Sequence, residues 1–313
     1  MIPYIKVPDF PLGPLTLHPF GILVATGVLV TSWLATRRAR ALGYDLVLLN
    51  SFGTWMLLGG FIGGHVFDSL FYHWGEVMRR PQSLLLLWEG LSSFGGFLGA
   101  TLGAILWKYL EIRRHWVRLR KAPMPIFPFA NLVHAVFPVG WAFGRGGCSV
   151  VHDHPGARAT AETWLAVAYP GFQPEAIDGP GTHRQLGFVT LIDGLYPRYD
   201  LGLLELMFTV VLAICFALTW RRRLAVGTYL VVVCLAYAPV RFAMDFLRIP
   251  ETQGGDARYA SLTPAQWSCV VLVLTAAAIG LYMRSLRRRG IDVEAPVRAT
   301  SGNQAAVLEP GTE

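Results

Sequence analysis

Residues 203–220 read LLELMFTVVLAICFALTW, and the three residues that follow are Arg221, Arg222 and Arg223. About 20 apolar residues are what a helix needs to cross roughly 30 Å of hydrocarbon. The stretch lacks the strict polar and apolar alternation of a transmembrane barrel strand. It therefore predicts a membrane-spanning helix with a basic cluster at one end.

Six further stretches have the same apolar character, and the composition of the whole chain agrees with them. The 313 residues are 53% hydrophobic and 15% charged, with a mean hydropathy of +0.44, whereas a soluble domain carries about 25% charged residues. We predict an all-α polytopic membrane protein with about seven transmembrane helices. Their approximate bounds are residues 17–35, 47–72, 93–110, 126–143, 203–220, 227–246 and 264–283.

The basic residues indicate how the chain is oriented. The loops after the first, third and fifth spans and the segment after the seventh carry most of the 27 Lys and Arg residues. Because such loops stay on the cytoplasmic side, we predict an outer amino terminus and a cytoplasmic carboxyl terminus. The net charge of +7 then favours contact with anionic membrane lipids, and we expect no nucleic acid partner.

Two segments lie outside the predicted spans. Residues 145–200 contain many Pro, Gly and polar residues, so we predict an irregular periplasmic head inserted in a transmembrane domain of residues 1–289. Residues 290–313 are polar and rich in small residues, which predicts a disordered cytoplasmic tail.

Two arginines, Arg145 and Arg241, lie at the outer ends of predicted spans. A guanidinium near the acyl-chain boundary costs energy unless an anion pairs with it, so the two residues favour a site for phospholipid head groups. Two simpler interpretations stay open. Arg145 could anchor a helix end by reaching towards the head groups, and Arg241 could pair with Asp245 one helical turn away.

The segment Gly144-Arg145-Gly146-Gly147-Cys148, followed by Asp153 and Gly156, resembles the signature of the bacterial prolipoprotein diacylglyceryl transferases, Gly-Arg-x-Gly-Asn-x-x-Asn-x-Glu-x-x-Gly. Other segments are similar to that family in the same order over about residues 10–285. They include Gly63-Gly64-His65, Ser92-Ser93-Phe94-Gly95-Gly96, Arg198 with Glu205, and Arg241 with Asp245 and Arg248.

The resemblance implies transfer of the diacylglyceryl group of phosphatidylglycerol to the lipobox cysteine thiol of a preprolipoprotein, at the outer face of the bacterial inner membrane. It implies no cofactor and no metal ion. The partners would be phosphatidylglycerol, the preprolipoprotein signal peptide and membrane lipids. Arg145 and Arg241 would be catalytic, since the planar guanidinium fork binds phosphate oxygens. The implied substrate-binding residues are Gly144, Gly147, Cys148, Asp153, Gly156, Ser92, Ser93, Gly95, Gly96, Glu205, Asp245 and Arg248.

The chain departs from the family pattern where a general base is expected. Phe94 stands in place of the family histidine, Phe20 in place of a tyrosine and Cys148 in place of an asparagine. Phenylalanine cannot accept a proton, so an altered base is needed. His152 and His154, on either side of Asp153, are the candidate catalytic residues that replace it.

Other interpretations of these residues stay open. His65 and Asp68 lie three residues apart on one helix and could form an acid/base pair. Ser92 and Ser93 could only position groups. A metal ion at His152, Asp153 and His154 is a weaker alternative to a solvated loop, and Cys148 is interpreted as a small packing residue rather than a nucleophile. At the level of function, the alternative is a phospholipid- or lipoprotein-binding paralogue without catalysis.

Overall fold

The computed structural model describes the chain except for a few short segments. The chain divides into two compact units. The described residues are 1–13, 15–71, 73–86, 90–113, 116–171, 181–249 and 258–299. The first unit comprises Met1–Ala35 and Val133–Arg288, and the second comprises Thr36–Leu132 and Arg289–Glu313.

Helices occupy all the stretches for which the sequence predicts a span. In chain order they are α1 (Pro19–Leu42), α2 (Leu46–Phe71), the short α3 (Trp74–Arg79), α4 (Ser93–Tyr109), α5 (Phe127–Val151), α6 (Leu201–Leu218), α7 (Thr228–Met244) and α8 (Pro264–Arg288). Five of the described helices are long and apolar enough to cross a membrane: α1, α2, α6, α7 with the turn that follows it, and α8. The chain therefore has the character of a multi-pass membrane protein.

The third and fourth predicted spans correspond to α4 and α5. Helix α4 has 17 residues, which at 1.5 Å per residue is about 25 Å, somewhat less than the hydrocarbon thickness. The apolar sequence of α5 is interrupted by Asn131, His134 and Arg145. That these two helices also cross the bilayer stays a prediction.

In the second unit, α2 and α4 pack through glycines with almost no space between their backbones. A Cβ atom added to Gly99 would lie 2.0 Å from the carbonyl oxygen of Gly59, and one added to Gly63 would lie 2.7 Å from that of Gly95. Small residues at four-residue spacing let membrane helices approach in this way. Gly95 therefore has a packing role in the helix pair.

Residues 290–299, the first part of the predicted tail, pack on the connection between α1 and α2. Val297 is fully buried, and its carbonyl oxygen accepts a hydrogen bond from the Asp45 amide at 2.8 Å. The Tyr44 hydroxyl donates to Glu294. This part of the chain has defined contacts, and the rest of the predicted tail lies outside the described residues.

The head region contains a six-stranded sheet, so the prediction of an irregular loop in an all-α protein is wrong there. Its strands are β1 (Ile2–Lys6), β6 (Pro155–Arg158), β7 (Ala166–Tyr169), β8 (Gly181–Leu186), β9 (Val189–Gly194) and β10 (Tyr196–Asp200). Their order in the sheet is β6-β10-β7-β1-β9-β8. Two separate hairpins are formed by β2 (Phe10–Leu12) with β3 (Leu15–Leu17), and by β4 (Leu110–Arg113) with β5 (Trp116–Leu119).

The middle of this sheet is built from strands that are distant in sequence. Strand β1 pairs in parallel with β7 and antiparallel with β9. Tyr4, Val167, Tyr169 and Ile192 form the buried core of the sheet. Short strands flanked by Pro and Gly have a composition like that of a loop, and a parallel pairing between segments about half the chain apart leaves no local signal.

Candidate anion-binding site

Arg145 lies in the second half of α5 and its side chain is almost completely buried. Its Nε atom is 2.9 Å from Oε1 of Glu205, and its guanidinium carbon is 4.7 Å from the ring centre of Trp141. One of its terminal nitrogens, Nη1, lies 3.6 Å from the Cys148 sulfur. Positions 141, 145 and 148 share one helix face. With 8% of its surface exposed, Arg145 does not fit the simpler interpretation of an anchor that reaches towards the head groups.

Glu205, one turn into α6, brings the two predicted arginines together. Its Oε1 accepts a hydrogen bond from Nε1 of Trp141 at 2.9 Å and another from the Tyr237 hydroxyl. Its Oε2 lies 3.8 Å from Nε of Arg241. A single buried carboxylate thus faces guanidinium groups from α5 and α7, which fixes both of them in one place.

Arg241 also pairs with a second buried carboxylate. Its Nη1 donates to Oδ1 of Asp245 at 2.8 Å, four residues further along the chain. Nη1 of Arg248 is 3.7 Å from the same oxygen, and the Thr263 hydroxyl donates to the other oxygen. The structural pairing of Arg241 with Asp245 is therefore present together with its approach to Glu205.

Asp245 is held in place by the start of α8. Thr263 and Gln266 form a reciprocal cap: the Thr263 amide donates to the Gln266 side chain at 3.0 Å, and the Gln266 amide donates to the Thr263 hydroxyl at 3.2 Å. This arrangement satisfies amide groups at the first turn of the helix. The cluster formed by Arg145, Arg241, Glu205 and Asp245 thus lies where the carboxyl-terminal halves of α5 and α7 meet the first turns of α6 and α8. Amino-terminal helix ends favour anions.

The two predicted basic histidines have different surroundings. His152 is buried, stacks on Tyr4 at 3.8 Å, and has its Nδ1 atom 2.5 Å from Oδ2 of Asp200. Its Nε2 atom lies 3.1 Å from the Ile5 carbonyl oxygen. Because a protein oxygen lies against each ring nitrogen and the side chain is buried, neither nitrogen is open to a substrate. These contacts give His152 a structural role between β1 and the start of α6.

His154 has the geometry of an oriented histidine. Its Nδ1 atom is 2.5 Å from Oδ1 of Asp153, and both side chains are partly exposed, at 31% and 40%. The carboxylate can only accept, so Nδ1 carries the hydrogen and Nε2 carries the lone pair of the neutral ring. Potential ligand atoms of Cys148, Asp153 and His154 all lie within 4.8 Å of one another. Because Cys148 also contacts Arg145, these three side chains lie beside the Arg145 guanidinium.

The glycines of the first-unit motif differ in their surroundings. Gly144 has open space where a side chain would lie, whereas a Cβ atom on Gly147 would be 2.8 Å from the Phe20 ring. Gly156 lies between two backbones, and a Cβ atom there would be 2.7 Å from the Leu247 carbonyl oxygen. It also forms a bridge with Arg248. Gly147 and Gly156 thus have packing roles, and Gly144 is open.

The remaining predicted residues belong to the second unit. Ser92 caps α4 by accepting from the Gly95 amide at 3.4 Å, and Ser93 begins that helix. Phe94 packs edge-on against Phe67 at 5.1 Å. Gly96 has only ordinary contact, since a Cβ atom there would be 3.7 Å from the Gly60 carbonyl oxygen.

The predicted acid/base pair of the second helix is divided between other partners. His65 lies 3.4 Å from the Gly90 carbonyl oxygen and 3.5 Å from the Ser69 hydroxyl. Asp68 instead faces Nδ1 of His73 at 2.9 Å.

Trp141 and Tyr237 also contact Glu205, although no sequence motif singles them out as site residues. Each lies four residues before a predicted arginine, Trp141 before Arg145 and Tyr237 before Arg241. That spacing places both on the same helix face as the arginine. A polar aromatic residue one turn before a buried arginine is the signal that could have found them.

The apolar helices define a multi-pass membrane protein, and a buried group of arginines and carboxylates lies at one set of its helix ends. A sequence model of the prolipoprotein diacylglyceryl transferases matches residues 9–282. The chain belongs to this family.

Individual relatives agree with the family model. The phosphatidylglycerol–prolipoprotein diacylglyceryl transferase of Chromohalobacter salexigens is 30% identical over 87% of this chain and 90% of its own length. The protein of the same name from Xanthomonas campestris pv. campestris strain B100 is 28% identical over 95% of this chain and 96% of its own. The protein of that name from Pectobacterium carotovorum is 27% identical over 79% and 82%, respectively.

Proposed function

We propose that this protein transfers the diacylglyceryl group of phosphatidylglycerol to the lipobox cysteine thiol of a preprolipoprotein. The relatives named above carry that activity in their names. The observation that supports it in this chain is the meeting of Arg145 and Arg241 on the Glu205 carboxylate. We place the reaction in the bacterial inner membrane. The seven-span topology and the periplasmic position of the head are part of the same proposal.

The proposed reaction breaks one C–O bond and forms one C–S bond. The cysteine sulfur attacks the glycerol carbon that bears the phosphate, and glycerol phosphate leaves with the electron pair of the C–O bond. The thiol proton passes to a base. Negative charge grows on the phosphate as the bond breaks, so donors fixed in advance around the phosphate lower the barrier.

Arg145 and Arg241 are suited to this task because each guanidinium carries five N–H donors. Glu205 and Asp245 fix the positions of the two groups and use only part of this donor capacity. The Arg241 and Arg248 side chains are more exposed, at 14% and 28%. We propose that a phosphate reaches these two first and that Arg145 completes the clamp.

We propose His154 as the proton acceptor that replaces the family histidine. Asp153 orients its ring at 2.5 Å, and Cys148 joins this pair to Arg145. A base beside a cationic phosphate site removes the thiol proton of the incoming cysteine more easily, since nearby positive charge stabilises the thiolate form. Ser92, Ser93, Gly95 and Gly96 are proposed to contribute to lipid binding at the start of α4.

The decisive experiment is a transfer assay with the purified full chain in micelles that contain phosphatidylglycerol and a lipobox peptide. Mass spectrometry of the peptide should show the added diacylglyceryl group. Arg145→Lys and Arg241→Lys keep the charge but lose the planar fork, so kcat/KM should fall by about 100-fold or more.

The matched control is Arg184→Lys, which changes an exposed head residue paired with Asp193 and should transfer at the normal rate. If the correctly folded protein binds phosphatidylglycerol but never modifies the peptide, the transferase proposal is wrong.

A further inference from the structure

The outer end of α5 carries a group of side chains with the donor atoms of a transition-metal site. Cys148 offers sulfur, His154 nitrogen and Asp153 oxygen, and these atoms lie within 4.8 Å of one another. The sequence alone offered His152, Asp153 and His154 as the alternative metal site. The structure turns His152 towards Asp200 and brings in Cys148 from the preceding helix turn.

We propose that Cys148, Asp153 and His154 bind a zinc-class divalent cation, Zn²⁺ or Co²⁺. A tetrahedral zinc ion holds its ligand atoms about 3 to 4 Å apart, so side-chain movements of about 1 Å close the site. Sulfur and imidazole ligands select zinc, cobalt or copper over magnesium and calcium. A thiolate and a carboxylate together balance the two charges of the ion.

The surroundings of the group fit a bound ion. Cys148 is buried, at 7% exposure, whereas Asp153 and His154 are partly exposed and leave a path from solvent. The guanidinium of Arg145, 3.6 Å from the sulfur, can donate to a metal-bound thiolate, as outer partners of metal ligands do. Its positive charge is balanced by Glu205 at 2.9 Å, which limits its repulsion of the cation.

Metal binding has a consequence that rests on the proposed function. The neutral ring of His154 has one nitrogen lone pair, which cannot hold a metal ion and accept a substrate proton at the same time. A bound zinc ion therefore inhibits transfer by occupying the base. On binding, the Cys148 thiol loses its proton to the buffer as the metal–sulfur bond forms.

The test is a Co²⁺ titration of the reduced full chain in detergent. Co²⁺ bound to a thiolate gives a near-ultraviolet charge-transfer band, and the wild-type band should saturate at one ion per chain and disappear when Zn²⁺ is added. Cys148→Ser should abolish the band, and His154→Gln should weaken Co²⁺ binding by at least about tenfold. The second variant changes a partly exposed residue, so its result does not depend on how the buried Cys148→Ser protein folds.

Two control variants test whether the band comes from the proposed ligands. Cys215→Ser changes an exposed cysteine on α6, and His183→Gln changes an exposed histidine on β8; both proteins should keep the wild-type titration. A band that survives in Cys148→Ser, or the lack of any saturable band in the wild type, would overturn the metal site.

The consequence for activity is measured separately. Zn²⁺ should inhibit wild-type transfer over the same concentration range in which it displaces Co²⁺. Full activity at saturating Zn²⁺ would overturn the role of the ion as an inhibitor. A chain with no transfer activity but a normal Co²⁺ titration would contradict the proposed function and leave the metal site standing.

Discussion

At the scale of single residues, the candidate site depends on the Glu205 carboxylate. It lies 2.9 Å from Nε of Arg145 and 3.8 Å from Nε of Arg241, and it accepts hydrogen bonds from Trp141 and Tyr237. Two of these four partners belong to α5 and two to α7, so one side chain of α6 contacts both helices. Loss of its charge would leave two buried guanidinium groups short of a partner.

We therefore expect Glu205→Gln to lower both stability and transfer. The change keeps the side-chain size but removes one member of a buried charge network, which typically costs about 3–5 kcal/mol. Thermal unfolding in detergent measures the first effect and the transfer assay the second. Asp193→Asn removes the partner of Arg184 in an exposed pair and should cost less than about 1 kcal/mol. Equal losses in the two proteins would contradict this assignment.

The residues of the arginine cluster were largely predictable, whereas the choice of base was not. Arg145, Arg241, Glu205 and Asp245 lie in motifs that keep their order along the chain. His152 and His154 are two residues apart and chemically identical. The structure separates them because His152 has a positive φ of 52° and turns inward, which local sequence does not specify.

At the scale of secondary-structure elements, the contact between α2 and α4 depends on single glycines. We expect Gly99→Ala to destabilise the protein by more than about 1 kcal/mol, because the new Cβ atom would lie 2.0 Å from the Gly59 carbonyl oxygen and the helices must separate. Thermal unfolding in detergent is the measurement.

Gly53→Ala is the control for this change. Gly53 lies on α2 with no atom within 4 Å of the added Cβ position. Alanine has a higher helix propensity than glycine by about 1 kcal/mol, so this change should leave stability the same or raise it. Similar effects of the two substitutions would show that backbone contact is not what limits α2 and α4.

The sheet of the head should lose stability in alkaline solution. Burial, together with the Asp200 carboxylate, raises the pKa of Tyr169 above its ordinary value of 10.0, and burial also raises the pKa of Tyr4. Above about pH 10 the unfolded chain ionises these residues first and releases more protons than the folded one. The contribution of these tyrosines to the free energy of unfolding is therefore constant below that pH and falls above it.

Hydroxide titration of the full chain, followed by near-ultraviolet circular dichroism, should show this loss. Tyr169→Phe removes the hydroxyl that donates to Asp200 at 3.2 Å, so the variant should be less stable near neutral pH but should lose less stability between neutral and alkaline pH. Tyr259→Phe changes an exposed ring and should follow the wild-type curve. An identical alkaline loss in Tyr169→Phe would exclude Tyr169 as its source.

The elements themselves were predictable to very different degrees. Long apolar stretches such as 203–220 predict helices because length and composition are local properties. Strand β7, Ala166–Tyr169, has four residues that are all buried, too few for a period to be visible. Its partners are β1 and β10, and the position of β1 is known only once the chain has folded.

At the scale of the whole molecule, the distribution of Lys and Arg predicts which side of the membrane each end occupies. We expect a membrane-impermeant maleimide to label His183→Cys, on β8 of the head, in intact spheroplasts. Ile291→Cys, an exposed position after α8, should be labelled only after the membrane is opened. Both are made in a Cys215→Ser background, because Cys215 is exposed. The reverse pattern would invert the proposed topology.

The position of β1 also has a consequence for biosynthesis. This strand is made before both of its partners, because β7 and β9 leave the ribosome only after α1 to α5 have been made. Until then its backbone amides have no sheet neighbour, and the cost of joining such distant segments delays their pairing. The head is therefore completed late, after most of the chain has been inserted. A mutation that slows membrane insertion should expose β1 to proteases before it harms any contact of the finished protein.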